Sequence, residues 1–337
     1  MKNKIDFEEL KNPKKEIYEY LWGNCDLDFE VAKKGVTDPS YEIAFSNKTL
    51  IDFVGDKIAL SFDINKNKET FAKKFQMACS GSGGELIKIT TLHSSSLCAL
   101  LFFFNVDNKK LVIPIPSQSE YEFTESYFEF KNKVIRSPSN IDVVLLGKNI
   151  KTGKKVILFL ESKFSEYITG IGKRKVSQSY FKSGCPSFPI YEYIENNNIF
   201  NFNKEKGFCN SEKYNEGLKQ MISHYYGIRY FMEGDFFKKN ENVYKNIREY
   251  GAEEIILGEI LFDNFAKNSG LTEKLNNYKD DYSKLAKIIN EQYEKDETKP
   301  KNIEFKVLKK SLSYSDSELE EYISDFPKIK KFYFGNK

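Results

Sequence analysis

Two stretches of the chain decide its fold: Ser139-Asn-Ile-Asp142-Val-Val-Leu-Leu146 and Val156-Ile-Leu-Phe-Leu-Glu161-Ser-Lys163. Each is a short apolar run, typical of a buried strand, and each carries an acidic residue. The polar residues 147–155 between them predict a turn, and therefore a hairpin. Because residues two apart in a strand point to the same face, we expect Glu161 and Lys163 side by side, with Asp142 close to both.

Two carboxylates and a lysine at one end of a sheet predict an Mg²⁺ site for phosphodiester hydrolysis. Mg²⁺ takes oxygen ligands and is held by one or two carboxylates together with substrate phosphate. Asp142 and Glu161 would supply the carboxylates. Lys163 would orient or help deprotonate the attacking water, or stabilise the charge that develops on the phosphate. The plainer alternative is a solvated strand end with a charged pair, which an acid-x-lysine pattern alone would favour.

Helical and strand-like segments surround this hairpin. Their order predicts an α/β fold in which a mixed central sheet is flanked by helices. The chain also contains a long irregular segment rich in Gly, Ser, Pro and Asn, a feature that is uncommon unless it is functional or flexible. The expected helices include 5–22, 69–78, 85–104, 211–232, 279–293 and 315–324; the strands include 121–130, 141–146, 156–161, 253–262 and 303–308; the irregular segment is 165–211.

Asp142, followed after 18 residues by Glu161-Ser162-Lys163, resembles the PD-(D/E)XK nuclease superfamily. One departure is that Pro138 lies four residues before Asp142 and not beside it. The resemblance covers residues 70–262 and implies a restriction-endonuclease-like fold with an αβββαβ core. It also implies a division of one compact unit: an N-terminal helical/β extension at 1–68, a nuclease core at 69–265 and a C-terminal α/β extension at 266–337.

A second segment, running from Ser80-Gly-Ser-Gly-Gly-Glu85 to His93-Ser94-Ser95-Ser96, resembles one found in predicted restriction endonucleases of that superfamily. The resemblance places Glu85 in the active site as a further acid near the metal. The alternative is that Ser82 and Glu85 form a capping box that starts a helix. Ser94 and Ser95 are candidates for contact with DNA phosphate, or they allow a helix to pack closely.

Gln220 and His224 are four residues apart in the expected helix 211–232, so they share one helix face. The resemblance places Gln220 near the scissile phosphate, as a catalytic candidate. His224 is the second candidate for the base, after Lys163. The alternative is that both residues form the polar edge of an amphipathic helix.

The charge of the chain is nearly balanced, with 52 basic and 49 acidic residues and a net charge of +3. This balance argues against a processive single-strand nuclease, which would need a strongly basic channel. The clearest basic cluster is Lys173-Arg174-Lys175, which is a candidate for contact with the DNA backbone. The alternative for such a run is an ordinary solvated surface.

Other classes of protein fit less well. No run of about 18 apolar residues indicates a membrane span, and no apolar segment of a secretory signal follows Met1. The five cysteines form no CxxC pair, and two histidines are too few to favour structural zinc. We therefore expect a cytoplasmic protein with reduced thiols. There is no GxxxxGK[ST] or GxSxG motif, and no organic cofactor is expected.

The resemblance implies an Mg²⁺-dependent, type II-like restriction endonuclease that acts on double-stranded DNA. Its system partner would be a separately encoded DNA methyltransferase, and a palindromic site would require a two-fold homodimer. The first alternative is a repair or recombination nuclease of the same fold that recognises DNA structures. The second is a non-catalytic nucleic-acid-binding protein with a vestigial site.

Overall fold

The strands of the computed structural model fall into one seven-stranded sheet and one two-stranded sheet. The structure describes residues 19–21, 23–24, 64–79, 89, 94–115, 119–134, 138–164, 202–203, 208–209, 216–235, 244–265 and 271–335.

The large sheet is mixed, with the strand order β1-β2-β3-β4-β7-β8, and β9 also pairs with β7. Strands β1 to β4 are antiparallel neighbours, whereas β7 is parallel to β4, β8 and β9. The small sheet contains β5 and β6. The strands are β1 (Leu111–Ile115), β2 (Ser119–Asn132), β3 (Ser139–Asn149), β4 (Lys155–Lys163), β5 (Phe202–Asn203), β6 (Phe208–Cys209), β7 (Glu254–Leu261), β8 (Glu304–Val307) and β9 (Leu312–Ser313).

Helices cover both faces of the large sheet. On one face, Phe231 packs against Phe159 of β4, with ring centroids 5.7 Å apart. On the other face, Ser162 of β4 bonds to the backbone of Ser95. The helices are α1 (Ile64–Ala78), α2 (Ser95–Phe103), α3 (Glu216–Met232), α4 (Lys245–Glu249), α5 (Thr272–Lys295), α6 (Ser317–Tyr322) and α7 (Pro327–Phe334), with a 3₁₀ turn at Ile323–Asp325.

One hydrophobic core joins the described parts of the chain. The cluster of buried apolar side chains extends from Leu21 to Phe334 and includes residues from both helical layers and from the sheet. Within the described part of the chain, no helix combines the length and apolar character needed to cross a bilayer. The expected mixed sheet with flanking helices is therefore confirmed.

The expected hairpin of β3 and β4 is also confirmed, and its turn has a clear local cause. Gly153 adopts a left-handed conformation with φ of 72°, which glycine tolerates without steric cost. The side-chain oxygen of Asn149 accepts hydrogen bonds from the backbone N–H groups of Lys151 and Thr152, each at 3.0 Å. The register pairs Val143 with Leu160, so the start of β3 lies beside the end of β4.

Two sequence-based predictions of elements need correction. The strand β1 was missed because Pro114 interrupts its apolar run, yet a proline is tolerated in an edge strand. The helix expected at 85–104 is too long, because α2 begins at Ser95 and Ile89 lies in a turn. Ser94 is the N-cap of α2, and its side-chain oxygen accepts a hydrogen bond from the N–H of Leu97 at 3.1 Å.

The C-terminal extension expected at 266–337 contributes to the central sheet. Strand β8 continues the order beyond β7, and β9 pairs with the last two residues of β7. Within the segment expected to be irregular, 165–211, the described strands β5 and β6 form their small antiparallel pair. The rest of that segment beyond Phe164, and most of residues 1–68, lie outside the described residues.

Candidate active site

The end of β4 lies against α3, and the contacts between them bring four polar side chains together. Glu161 and Lys163 are two residues apart in the strand, so their side chains share one face of the sheet. That face meets this helix. His224 Nε2 lies 2.7 Å from Glu161 Oε2. Lys163 Nζ donates to Gln220 Oε1 at 2.5 Å. The spacing of four residues between Gln220 and His224 matches the span of the two strand residues.

Glu161 and Lys163 are also bonded to each other. Lys163 Nζ donates to Glu161 Oε1 at 2.6 Å, and both side chains are almost completely buried. Glu161 therefore uses both of its carboxylate oxygens, one for Lys163 and one for His224. A charged pair removed from water in this way is not the solvated strand end of the plainer alternative.

Asp142 reaches this pair through the backbone of β4. The N–H of Ser162, between Glu161 and Lys163, donates to Asp142 Oδ2 at 2.8 Å. The register agrees, because the pair after Val143 and Leu160 would set Asp142 level with Glu161. The structure thus brings together five of the residues singled out in the sequence: Asp142, Glu161, Lys163, Gln220 and His224.

Two further acids, which the sequence did not single out, extend this level across the sheet. Glu259 of β7 pairs directly with Glu161. Glu129 of β2 is level with Asp142, because the residues on either side of Glu129 pair with the residues on either side of Asp142. The φ angle of Glu129 is 52°, which is unusual for a residue other than glycine. Four adjacent strands therefore carry an acid at the same level. A lone acid within an apolar run was the available sequence signal for both residues.

The charges in this row do not affect its acids equally. Burial opposes the ionisation of Glu161, but Lys163 and His224 outweigh it and lower the pKa of Glu161 to about 2. Burial raises the pKa of Asp142 well above its usual range, and the charges of Glu161 and Glu129 act in the same direction. Burial also raises the pKa of Glu259 to about 7. An ionised acid thus lies between two acids that tend to keep their protons.

Glu259 is held by residues that follow it in the chain. The hydroxyl of Tyr278, in α5, donates to Glu259 Oε2. Ser311, just before β9, donates to Glu259 Oε1 at 3.1 Å. The side chain of Glu259, which accepts both hydrogen bonds, is fully buried. The C-terminal extension therefore supports one end of the row of acids.

Ser162 links the site to the opposite face of the sheet. Its hydroxyl donates to the carbonyl oxygen of Ser95 at 3.0 Å, and Tyr314 lies 2.8 Å from the same hydroxyl oxygen. Because the serine proton is already used, the Tyr314 hydroxyl is the donor in the second bond. The residue between Glu161 and Lys163 is thereby fixed by α2 and by the C-terminal extension.

The remaining sequence-based candidates are placed as follows. Ser94 caps α2, and the Ser95 carbonyl bonds to Ser162, so both have structural contacts in the described fold. Their contact with DNA stays a prediction. The other candidates, Glu85, Lys173, Arg174 and Lys175, lie outside the described residues.

The donor set suits a hard cation only in part. Among the described residues, no group of three His, Cys, Asp or Glu side chains is arranged to hold a metal ion. Asp142 has used one oxygen for Ser162, and each oxygen of Glu161 has already accepted one hydrogen bond. A carboxylate offers about four lone-pair sites, so these bonds leave capacity for a cation that takes its other ligands from water or substrate.

Comparison with known proteins adds no relative to this description: no family model, no curated protein and no solved structure matches the chain.

Proposed function

We propose that this protein is an Mg²⁺-dependent endodeoxyribonuclease of the PD-(D/E)XK superfamily. The observation that carries the proposal is the joint placement of Asp142, Glu161 and Lys163 at paired strand ends. The motif in the sequence is degenerate and matches many unrelated strands by chance. Buried contact between its three members is a more demanding condition, because burial of unpaired charge is costly.

The order of elements supports the same superfamily. Helix α2 precedes the antiparallel strands β2, β3 and β4, and α3 then leads to β7, which is parallel to β4. This matches the αβββαβ order of the restriction-endonuclease-like fold with insertions: β1 lies between α2 and β2, β5 and β6 lie between β4 and α3, and α4 lies between α3 and β7. Strands β8 and β9 follow it. We take the match in order as support for the fold assignment.

Asp142 and Glu161 are the residues that would hold Mg²⁺. When bound, the cation would lower the pKa of a coordinated water and offset negative charge on the phosphate. Two carboxylates are enough for this ion when substrate phosphate and water complete its ligands. Glu85 stays a candidate for a third acid.

Lys163 and Gln220 would act on the substrate from the side of α3. Glu161 and Gln220 position Lys163, whose ammonium group would stabilise the negative charge that develops on the scissile phosphate. Gln220 binds the lysine through its carbonyl oxygen, which leaves its amide N–H₂ as a donor. Gln220 would thus orient Lys163 and could also bind a phosphate oxygen.

For the substrate we propose double-stranded DNA, and for the role a type II-like restriction endonuclease. The near-neutral charge suits a protein that recognises a short site more than one that tracks along single strands. The proposal includes a two-fold homodimer and a separately encoded DNA methyltransferase in the same system. Lys173, Arg174 and Lys175, together with Ser94 and Ser95, stay candidates for DNA contact.

Cleavage of plasmid DNA in the presence of Mg²⁺ tests the proposal. We expect discrete fragments from the wild type, and a loss of at least about 100-fold in rate for Lys163→Met and Asp142→Asn, as for other removed catalytic groups. Lys306→Met and Glu254→Gln are matched controls, because this ion pair lies at the opposite end of the sheet. Both controls should cut at nearly the wild-type rate.

Other outcomes would separate the alternatives. Cutting only of branched or single-stranded DNA would replace the restriction role with a structure-specific repair nuclease. Equal DNA binding by the wild type and Lys163→Ala, with cleavage by neither, would indicate a nucleic-acid-binding protein. Full cleavage by both Lys163→Met and Asp142→Asn would place the active site elsewhere.

A further inference from the structure

Behind the candidate site, three buried side chains form a continuous line of hydrogen bonds. Ser139 Oγ lies 2.5 Å from His224 Nδ1, and His224 Nε2 lies 2.7 Å from Glu161 Oε2. Ser139 starts β3, His224 is in α3 and Glu161 is near the end of β4. The exposed fractions are 6% for Ser139, 2% for His224 and 2% for Glu161, so water does not compete for these bonds.

The chemistry of these groups selects one arrangement of protons for a neutral imidazole. An ionised carboxylate can only accept, so the hydrogen on the ring must be on Nε2. The other nitrogen, Nδ1, is then an acceptor, and the Ser139 hydroxyl must donate to it. Glu161 therefore fixes the tautomer, and Ser139, by donating to Nδ1, holds the plane of the ring.

Ser139 is not placed as a nucleophile. In a Ser-His-Asp triad the serine contacts one ring nitrogen, the acid contacts the other, and the serine hydroxyl faces the substrate. Here all three members are buried, and the acid, not the serine, lies beside the other candidate site residues Asp142 and Lys163. The line of bonds is thus directed towards Glu161.

We infer that His224, held by Ser139, is the positioning residue that orients Glu161 for a divalent cation. This inference rests on the proposed function, because it gives a role to the partner of a proposed metal ligand. Lys163 and His224 each donate a hydrogen bond to a different oxygen of Glu161, so the carboxylate is held in one orientation. Hydrogen-bonded partners of metal ligands fix ligand geometry, and their removal weakens metal binding by about 10- to 100-fold.

Mn²⁺, titrated into the full-length protein without DNA, provides the first test. We expect His224→Ala to weaken Mn²⁺ binding by about 10- to 100-fold relative to the wild type. His224→Gln keeps an N–H donor for Glu161 and should remain within about threefold of the wild type. If the role of His224 were purely structural, the loss of Mn²⁺ affinity in each variant would instead be in proportion to the fall in its melting temperature.

The tautomer provides a second test that does not depend on metal. The chain has only two histidines, so His93→Gln assigns the ¹⁵N signals of His224 directly. At about pH 9, above the ordinary range of imidazole protonation, we expect the wild type to carry its proton on Nε2. In Glu161→Gln, whose amide can either accept from Nε2 or donate to it, the signals should shift towards a mixture of the two tautomers.

The outcomes distinguish the inference from the proposed function. Equal Mn²⁺ affinity of the wild type and His224→Ala would overturn the inference alone. A proton on Nδ1 of His224 in the wild type would also overturn it, because the line of bonds would then be reversed. A wild type that binds no Mn²⁺ and cuts no DNA would overturn both.

Discussion

At the scale of single residues, the notable feature is how the buried charge is balanced. Four acids lie level on adjacent strands, and the cationic or proton-donating partners Lys163 and His224 both contact the same acid, Glu161. The acid on either side of Glu161 has a raised pKa, because burial disfavours its charged form. Burial therefore favours the protonated forms of Asp142 and Glu259, whereas the contacts of Glu161 favour its ionised form.

Glu259 should make the stability of the protein depend on pH. Burial raises its pKa in the folded state to about 7 from an ordinary value of 4.5. Between these values the folded protein keeps a proton that the unfolded chain has lost, so stability falls as the pH rises through this window. By this linkage, we expect Glu259→Gln to be about 3 kcal/mol more stable than the wild type at pH 8.

Urea unfolding at pH 8 and at pH 4.5 measures the effect of Glu259→Gln. The difference between variant and wild type should shrink towards zero at the lower pH. Gln can retain the contacts with Tyr278 and Ser311, since both hydroxyls also accept hydrogen bonds. Glu297→Gln, an exposed control, should show the same small difference at both pH values. A pH-independent gain for Glu259→Gln would contradict the assignment.

At the scale of elements, the close approach of α3 to the sheet determines the site. A Cβ atom at Gly227 would lie 2.6 Å from Cβ of Asn132, the last residue of β2. Asn132 pairs with Ser139, whose hydroxyl contacts His224. The glycine therefore allows the helix to lie close enough for His224 to reach Ser139 and Glu161.

Gly227→Ala should push α3 away from the strand ends. Replacing glycine by alanine stabilises a helix by about 1 kcal/mol through helix propensity, but a clash with a neighbouring Cβ atom typically costs about 1–3 kcal/mol. At 2.6 Å we expect the clash to dominate, with a net loss of about 1 kcal/mol in stability and a larger relative loss of cleavage. Chemical denaturation and the plasmid assay measure the two effects.

Gly23→Ala is the matched control for this helix substitution. Gly23 is also helical, and an added Cβ would meet no atom within 4 Å. This variant should be as stable as the wild type or slightly more so. If Gly227→Ala behaved in the same way, α3 would tolerate displacement and the close approach would not limit the site.

At the scale of the whole molecule, the C-terminal extension is joined to the core by buried polar contacts. Arg229 of α3 is fully buried and forms an ion pair with Asp296, after α5, at 2.8 Å. Its guanidinium group also lies over the ring of Tyr293, 5.6 Å from the centroid. Tyr314 reaches Ser162 in the site itself. The extension is therefore part of the structure that supports the candidate active site.

Arg229→Met should destabilise the whole protein strongly. It leaves the Asp296 carboxylate nearly buried and without its ion-pair partner, a change that typically costs about 3–5 kcal/mol. Arg229→Met/Asp296→Asn should lose less than the sum of the two single variants, because the unpaired charge is then removed. Urea denaturation of all four proteins gives the coupling.

Lys245→Met is the control for the Arg229 variant. Lys245 and Glu249 form an exposed pair at 3.8 Å, and such pairs are worth about 0.2–1 kcal/mol. Additive losses in the Arg229 and Asp296 variants, or an Arg229 effect no larger than that of Lys245, would show that the buried pair does not join the extension to the core.

The parts of the fold that local patterns encode were predictable. Apolar runs with a glycine-containing turn identified β3 and β4, and helical spacing placed Gln220 and His224 on one face of α3. Pro114 concealed β1, because its tolerance depends on that strand lying at an edge. The roles of Glu129, Glu259, Ser139 and Tyr314 were not predictable, since each depends on a partner more than 50 residues away or on another strand.

By itself, the sequence determined the hairpin and the order of acid and lysine along it. Period-two alternation and turn chemistry are local, so they act before any distant contact forms. The tertiary structure alone decided which charges are balanced: it placed Lys163 and His224 on one acid and set two other acids level with it. Charge balance depends on distance and burial in space, and neither can be read from separation along the chain.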